Sequence, residues 1–256
     1  MTSEELNPES RSSDQREAED DDLAASLRGL SVLSAGALPL EEMLTRVARY
    51  AVQAIPGADG AGLTLIEHHR ADTIVMTAEF VAEVDAVQYG IGEGPCISAA
   101  RDGVTVMSGS LGGDTRWPRF GGRIARMGVH SALSLPLIAS DEVVGAMNIY
   151  AHAKHVFDER AAALGELFAV PAAVTVQNAR VLEDARRLAE RLQSALDERM
   201  VVERAVGIVM SRSGIDEDEA LARLTRLSQH EHVKLVEVAR TLVDEAVRRA
   251  RAAPHG

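Results

Sequence analysis

The chain has 256 residues, 46% of them hydrophobic, which suits one or two domains with a real core. A single cysteine excludes an intramolecular disulfide and points to a reducing compartment. The opening "MTSEELNPES RSSDQREAED DD" lacks the apolar run of a secretory leader, and no later run approaches membrane-spanning length, so a cytoplasmic protein away from membranes is expected. The net charge of −12 speaks against a nucleic-acid partner only until its distribution is read. Residues 1–22 carry nine acids and two arginines, the composition of a disordered acidic tail. Residues 198–251 carry ten acids and ten bases, so a C-terminal unit is neutral and free to present a basic face.

After the tail, "LAASLRGLSVL" and "LEEMLTRVARYAVQAI" show helical spacing, with Leu40, Leu44, Val47 and Ala51 on one face. "PGADG" breaks the chain at 56–60. "AGLTLIE" and "TIVMTAEF" read as strands around the polar turn "HHRAD". A short helix "EVDAVQY", the glycine-rich "GIGEGPC", a helical turn "ISAARDG" and a strand "VTVMS" follow. "RWPRFGGRIARMG" is a loop leading into a short helix. "VHSALSLPLIA" and "EVVGAMNIYA" are two strong strands whose junction at Ser140-Asp141 predicts a hairpin in a mostly antiparallel sheet. Helices, a sheet and more helices predict an α+β domain over residues 23–180.

From Glu159 the pattern is almost continuous helix, with a kink expected at Pro171. Val174, Asn178, Val181, Ala185, Leu188, Leu192, Ala195, Arg199, Val202, Val206 and Val209 alternate in steps of four and three, a heptad seam. The seam predicts a coiled-coil linker helix over 181–196 and a parallel homodimer; the alternative is a long helix packed on its own domain. The helix should end at Ser213-Gly214. Asp216 then serves as an N-cap with Glu219 three residues on, and Ile215 and Ala220 form a hydrophobic staple. Two further amphipathic helices complete an all-α three-helix bundle over 197–250.

"ERAVGIVMSRSG" places Gly207 inside the first of these helices, where glycine costs about 1 kcal/mol relative to alanine. The close approach of a neighbouring helix in the bundle is the expected reason; access for a ligand backbone is the other.

Quoted together, "ERAVGIVM…GIDEDEALARLTRLSQHEHVKLVEVA" resembles an ANTAR domain, the RNA-binding output module of bacterial antitermination regulators. The resemblance implies binding to paired RNA hairpins in leader transcripts, which keeps an overlapping terminator from forming. Phosphates need cations and loop bases are read by stacking and edge hydrogen bonds. The candidates are Arg204, Gly207, Arg212, Arg223, Arg226, Gln229 and Lys234. Glu219 lies four residues before Arg223 and is placed to pair with it, whereas neither Arg212 nor Arg226 has an acid four residues before it. Two positions depart from the family pattern: Val206 replaces a usual lysine and His232 a usual asparagine. If residue 232 caps the third helix, histidine is the poorer cap by up to about 1 kcal/mol.

"PGADGAGLTLIE", "GEGPCISAARDG", "RWPRF", "SALSLPLI" and "VVGAMNIYA…FDERAA" resemble a GAF domain of the kind found upstream of ANTAR. This implies a sheet with helices on one side and loops over a small-molecule pocket on the other; no cofactor or ligand is named by the sequence. Cys96 and Trp117 are the pocket candidates, although each also reads as simple packing. "GIGEGPC" lacks the Lys-Ser/Thr ending of a phosphate loop, "HAKH" lacks a third metal ligand, and "FDE" has the wrong spacing for a cyclic-GMP signature. The resulting expectation is a regulator and not an enzyme. The rivals are an enzyme on a GAF scaffold, as in free-methionine-sulfoxide reductases, for which Cys96 lacks a resolving partner, and a protein-interaction module.

Overall fold

The computed structural model describes residues 12–34, 38–67 and 70–252, and the chain divides between Glu183 and Asp184 into two compact units. The first unit opens with α1 (Ser13–Ser34) and α2 (Leu40–Ala54), followed by β1 (Gly60–Glu67), β2 (Arg70–Met76), α3 (Glu79–Ile91), α4 (Pro95–Asp102) and β3 (Val106–Ser108). It continues with α5 (Pro118–Arg126), β4 (Ser131–Ala139), β5 (Glu142–Ala151) and the start of α6 (Glu159–Ser213). The five strands form one sheet in the order β2-β1-β5-β4-β3, every neighbouring pair antiparallel. The expected hairpin turns at Ser140 and Asp141, both with positive φ (52° and 66°), the two-residue turn whose twist suits antiparallel strands.

One face of the sheet packs on α1, α2 and the first turns of α6. Leu44, Val47, Leu63, Leu135, Ile149 and Phe168 meet there, each fully buried and worth roughly 1.5–3 kcal/mol in removed apolar surface. The other face was expected to carry loops over a pocket. It is instead covered by α3, α4 and α5, with Val81, Val84, Phe120, Ile124, Ala132 and Tyr150 closed into a second core. A sheet buried on both faces explains why β4 lacks an alternation of apolar and polar residues, its apolar run broken only by Ser131 and Ser134. Its buried serines are satisfied: Ser131 Oγ donates to Ala153 O at 2.8 Å and Ser134 Oγ to Asn148 Oδ1 at 2.9 Å.

Two expectations need correction. Residues 13–22 are helical and not disordered, because Leu23, Leu30 and Leu33 bury the far end of α1 and Arg160 pairs with Glu19 (3.6 Å) and Asp20; residues 1–11 lie outside the described residues. The strand expected over "TIVMTAEF" ends at Met76, and Glu79 and Phe80 begin α3. The turn "HHRAD" falls partly outside the described residues. Helix α6 continues through Pro171, and Thr175 Oγ1 donates to the Pro171 carbonyl at 2.9 Å.

The second unit contains the rest of α6, α7 (Glu217–Glu231) and α8 (Leu235–Ala252). Gly214 ends α6 in a left-handed conformation (φ 64°), its N–H donating to Met210 O at 2.9 Å, as the Ser213-Gly214 signal implied. Asp216 caps α7, its Oδ1 accepting from Glu219 N at 2.8 Å. Ala205, Val206, Ala220, Leu224, Val238 and Ala239 form the bundle core, with Ile215 packed against it. No described helix is long and apolar enough to cross a membrane.

Candidate functional site

Residues 204, 207, 208, 211 and 212 fall at helical spacing, which turns them to one side of α6. Arg204, Gly207, Ile208, Ser211 and Arg212 line a groove there, whose far wall is Val243 and Ala246 of α8. Nothing lies within 4 Å of the position a Gly207 side chain would take. The packing explanation for Gly207 is therefore overturned. Its neighbour Val206 turns inward, 6% exposed, while Gly207 opens a notch on the outer face between two arginines. Arg204 and Arg212 sit about 12 Å apart along the helix and make no ion pair among the described residues.

The groove gathers three of the seven RNA candidates. Arg223 donates to Ser213 Oγ at 3.2 Å and forms no ion pair with Glu219 among the described residues. Arg226 and Gln229 are exposed on α7, and Lys234 is exposed just before α8; none of them lines the groove. Sequence reasoning missed the contribution of α8, because Val243 and Ala246 read only as part of its apolar stripe. The substitution at Val206 is explained by burial in the bundle core. His232 does not cap α8. It ends α7 in the left-handed region (φ 58°), where asparagine and histidine are both better tolerated than most residues.

The seam on α6 divides. Val174, Val181, Leu188 and Leu192 are exposed, at 50%, 57%, 53% and 58%, whereas Val202, Val206 and Val209 belong to the bundle core or pack against it.

In the first unit both pocket candidates are buried. Trp117 donates from Nε1 to Ser98 Oγ at 3.0 Å, with the Arg116 guanidinium 4.4 Å from its ring centroid. Cys96 Sγ lies 3.2 Å from Tyr89 Oη, which donates to Thr64 Oγ1 at 2.7 Å. Burial and the nearby Asp85 push the thiol up to about 12. The glycine-rich turn is architecture: Gly92 (φ 75°) ends α3, and at Gly94 a Cβ would stand 2.0 Å from Gln88 Oε1. His152 Nδ1 meets Asp59 Oδ2 at 3.0 Å, and Asp158 Oδ1 accepts from Ala161 N at 2.9 Å to start α6.

The residue that sequence reasoning overlooked is Asp85, fully buried against β5. Its Oδ1 accepts from Tyr150 Oη at 2.7 Å and from Asn148 Nδ2 at 3.3 Å. Burial raises its pKa to about 6, partly offset by those two hydrogen bonds. The signal was present: Val81, Asp85 and Gln88 stand at i, i+4 and i+7, which puts both polar groups on the inward face.

Compared with known proteins, residues 37–177 match the family model described as "GAF domain" and residues 190–243 that described as "ANTAR domain". Among solved structures, the chain is similar to the GAF domain of a phosphoenolpyruvate-protein phosphotransferase from Coxiella burnetii (17% identity, 64% of this chain and 98% of that one, TM-score 0.46). It is also similar to its Acinetobacter counterpart (13%, 67% and 97%, 0.48) and to free methionine-R-sulfoxide reductase from Neisseria meningitidis (16%, 62% and 91%, 0.46). No curated protein matches the chain.

Proposed function

Because the chain belongs to the GAF domain family and carries an ANTAR domain after it, we propose that it is a transcription antitermination regulator. In this reading it acts in the cytoplasm as a homodimer joined along the exposed part of the α6 seam. Each bundle holds one RNA hairpin of a paired leader element. A small molecule held in the GAF unit biases how the two bundles meet the transcript.

The observation that carries the reading is the open notch at Gly207. A helix that gives up about 1 kcal/mol of propensity without gaining a packing contact has kept its backbone accessible, and the flanking arginines supply the charge that a phosphate backbone requires. Cys96 favours this over a thiol-dependent enzyme, since a closed-off thiol pushed up to about 12 is a poor nucleophile at neutral pH.

The test is fluorescence anisotropy with a two-hairpin leader RNA, beside the same RNA with one stem disrupted and an unstructured RNA of equal length. Preference for the intact pair, with read-through of a downstream terminator in a transcription assay, supports the reading. Equal binding of all three RNAs, or none, overturns it.

A further inference from the structure

At the edge of its sheet the first unit leaves an open groove. β3 pairs only with residues 132–134 of β4, so the rest of β4 has no strand on that side among the described residues. A groove of about 340 Å³ opens there, lined by Leu135, Pro136 and Ile138 of β4, Val104 of the α4–β3 connection, and Ala169 and Val170 of α6. Thr105 and Glu166 are the only polar side chains in its lining. Leu135 is fully buried, whereas Val104, Ile138 and Val170 are exposed. Gly165 brings α6 close against β4 beside it, since a Cβ there would stand 2.8 Å from Leu135 Cδ1.

Val170 also belongs to a stripe. At 3.6 residues per turn, Leu167, Val170, Val174 and Val181 of α6 fall within an arc of about 60°, and all four are exposed. The apolar stripe therefore starts one heptad before Val174 and runs past the groove. Exposed apolar surface gathered in one place marks a contact with another molecule, and two observations make that molecule a second copy of this chain. The exposed seam from Val174 to Ala195 is short of large side chains, because Asn178, Ala185 and Ala195 occupy three of its positions. A specific interface takes about 20–30 residues from each partner; Leu167, Val170, Val104 and Ile138 extend the seam toward that size. A two-fold interface is also self-complementary, and here a projection, Leu167, stands on the same stripe as Val170, which walls the recess. A small polar ligand would find few partners in so apolar a lining.

We propose that this groove is a docking surface for a second copy of the chain, which lays its α6 across the edge of β4 and inserts its own Leu167 between Val104, Ile138 and Val170. This rests on the homodimer reading and carries the contact beyond the helix seam onto the sheet of the sensor unit. The inserted side chain rests on Leu135, which belongs to the core that α2, β1 and β5 share. Repacking of that core when the unit takes up a small molecule then alters the dimer contact through touching side chains.

The experiment uses the full chain. Sedimentation over a concentration series gives the dimer dissociation constant of the natural chain, of Val104→Asp, of Leu167→Asp, and of the pair Leu188→Asp with Leu192→Asp. Val104 lies off α6, so its replacement does not act through the helix seam, and its exposure lets the variant fold. Val104→Asp and Leu167→Asp should each weaken the dimer at least about tenfold, with thermal midpoints of the diluted monomers close to that of the natural chain. Hydrogen exchange on the natural chain needs no variant: amides of residues 103–105 and 137–139 should exchange more slowly at dimer-forming concentration than after dilution. A dimer indifferent to Val104→Asp, or exchange at both segments that ignores concentration, overturns the proposal. If the pair at Leu188 and Leu192 breaks that indifferent dimer, the homodimer reading stands and only the groove contact falls. A natural chain that is monomeric at all concentrations overturns both.

Discussion

Replacing Gly207 separates architecture from recognition. Gly207→Ala removes glycine's helix penalty of about 1 kcal/mol, and the new methyl meets no atom within 4 Å. For a unit the size of Asp184–Gly256, 1 kcal/mol moves the thermal midpoint by about 4–8 °C. Gly207→Leu should be similarly stable, since leucine is nearly as good a helix former and the notch is open. The overpacking loss of about 1–3 kcal/mol expected for a buried glycine should not appear. RNA binding should move the other way: a leucine filling the notch between Arg204 and Arg212 should weaken a two-hairpin RNA at least about tenfold, or about 1.4 kcal/mol. Circular dichroism melts and anisotropy titrations on the same samples read both quantities. Arg212→Ala should also reduce the salt slope of binding by about 0.7–0.9. Arg226→Ala, outside the groove, does so only if the RNA path crosses α7. A Gly207→Leu protein that melts higher and binds RNA normally would refute the notch as the contact.

Further outcomes follow from the same contacts. Leu188→Asp with Leu192→Asp should give monomers in sedimentation and weaker binding to paired hairpins; an unchanged dimer moves the interface off α6. Asp216→Ala removes the cap on Glu219 N and should cost the bundle about 1 kcal/mol, visible as a lower melting midpoint. Burial raises the folded pKa of Asp85 to about 6, above the ordinary carboxylate value of 3.8. Its protonation therefore stabilises the folded state fully below about 3.8, and that gain is lost as pH rises through about 6. The natural chain should thus gain on Asp85→Asn by roughly 1.4 kcal/mol between about pH 7 and 5, and by roughly 3 kcal/mol in all once the pH is below about 3.8; parallel pH curves contradict the assignment. Cys96 should resist thiol reagents in the folded protein, and loss of RNA binding on mild oxidation, rescued by Cys96→Ser, would show that it is a sensor after all.

What could be read from the sequence was what neighbouring residues decide. The Ser140-Asp141 turn, the Gly214 terminus and the Asp216 cap each follow from a few adjacent residues, and each stands where expected. Gly207 was misjudged because flanking by Val206 and Ile208 suggests an interior, whereas a helix turns consecutive residues to different faces. Whether a glycine faces a neighbour or open space depends on where α8 lies, which adjacent residues do not specify. The filled second face of the sheet was missed for a related reason. The helices that cover it are short, and their buried members are spread across α3, α4 and α5, so no single stretch advertises the layer.

The divided seam bears on how a dimer could read two hairpins. From Val174 to Ala195 the seam positions are exposed, and Leu182 and Leu196 widen the stripe beside them. Arg199 then interrupts it, bound to Glu203 at 2.7 Å, and beyond it Val202, Val206 and Val209 are engaged within the bundle. A dimer zipped as far as Val209 would compete with the bundle for its own core residue Val206. One that stops at Ala195 leaves each bundle whole. Pairing and RNA contact then use separate lengths of the same helix, and the notch begins only five residues past Arg199, about 7.5 Å along the axis. Two notches so tethered see a second hairpin at a high effective concentration once the first is bound. On this account the gain from dimerisation should vanish for a single-hairpin RNA. It should also shrink when residues are inserted between Ala195 and Arg204, even though no RNA contact has been altered.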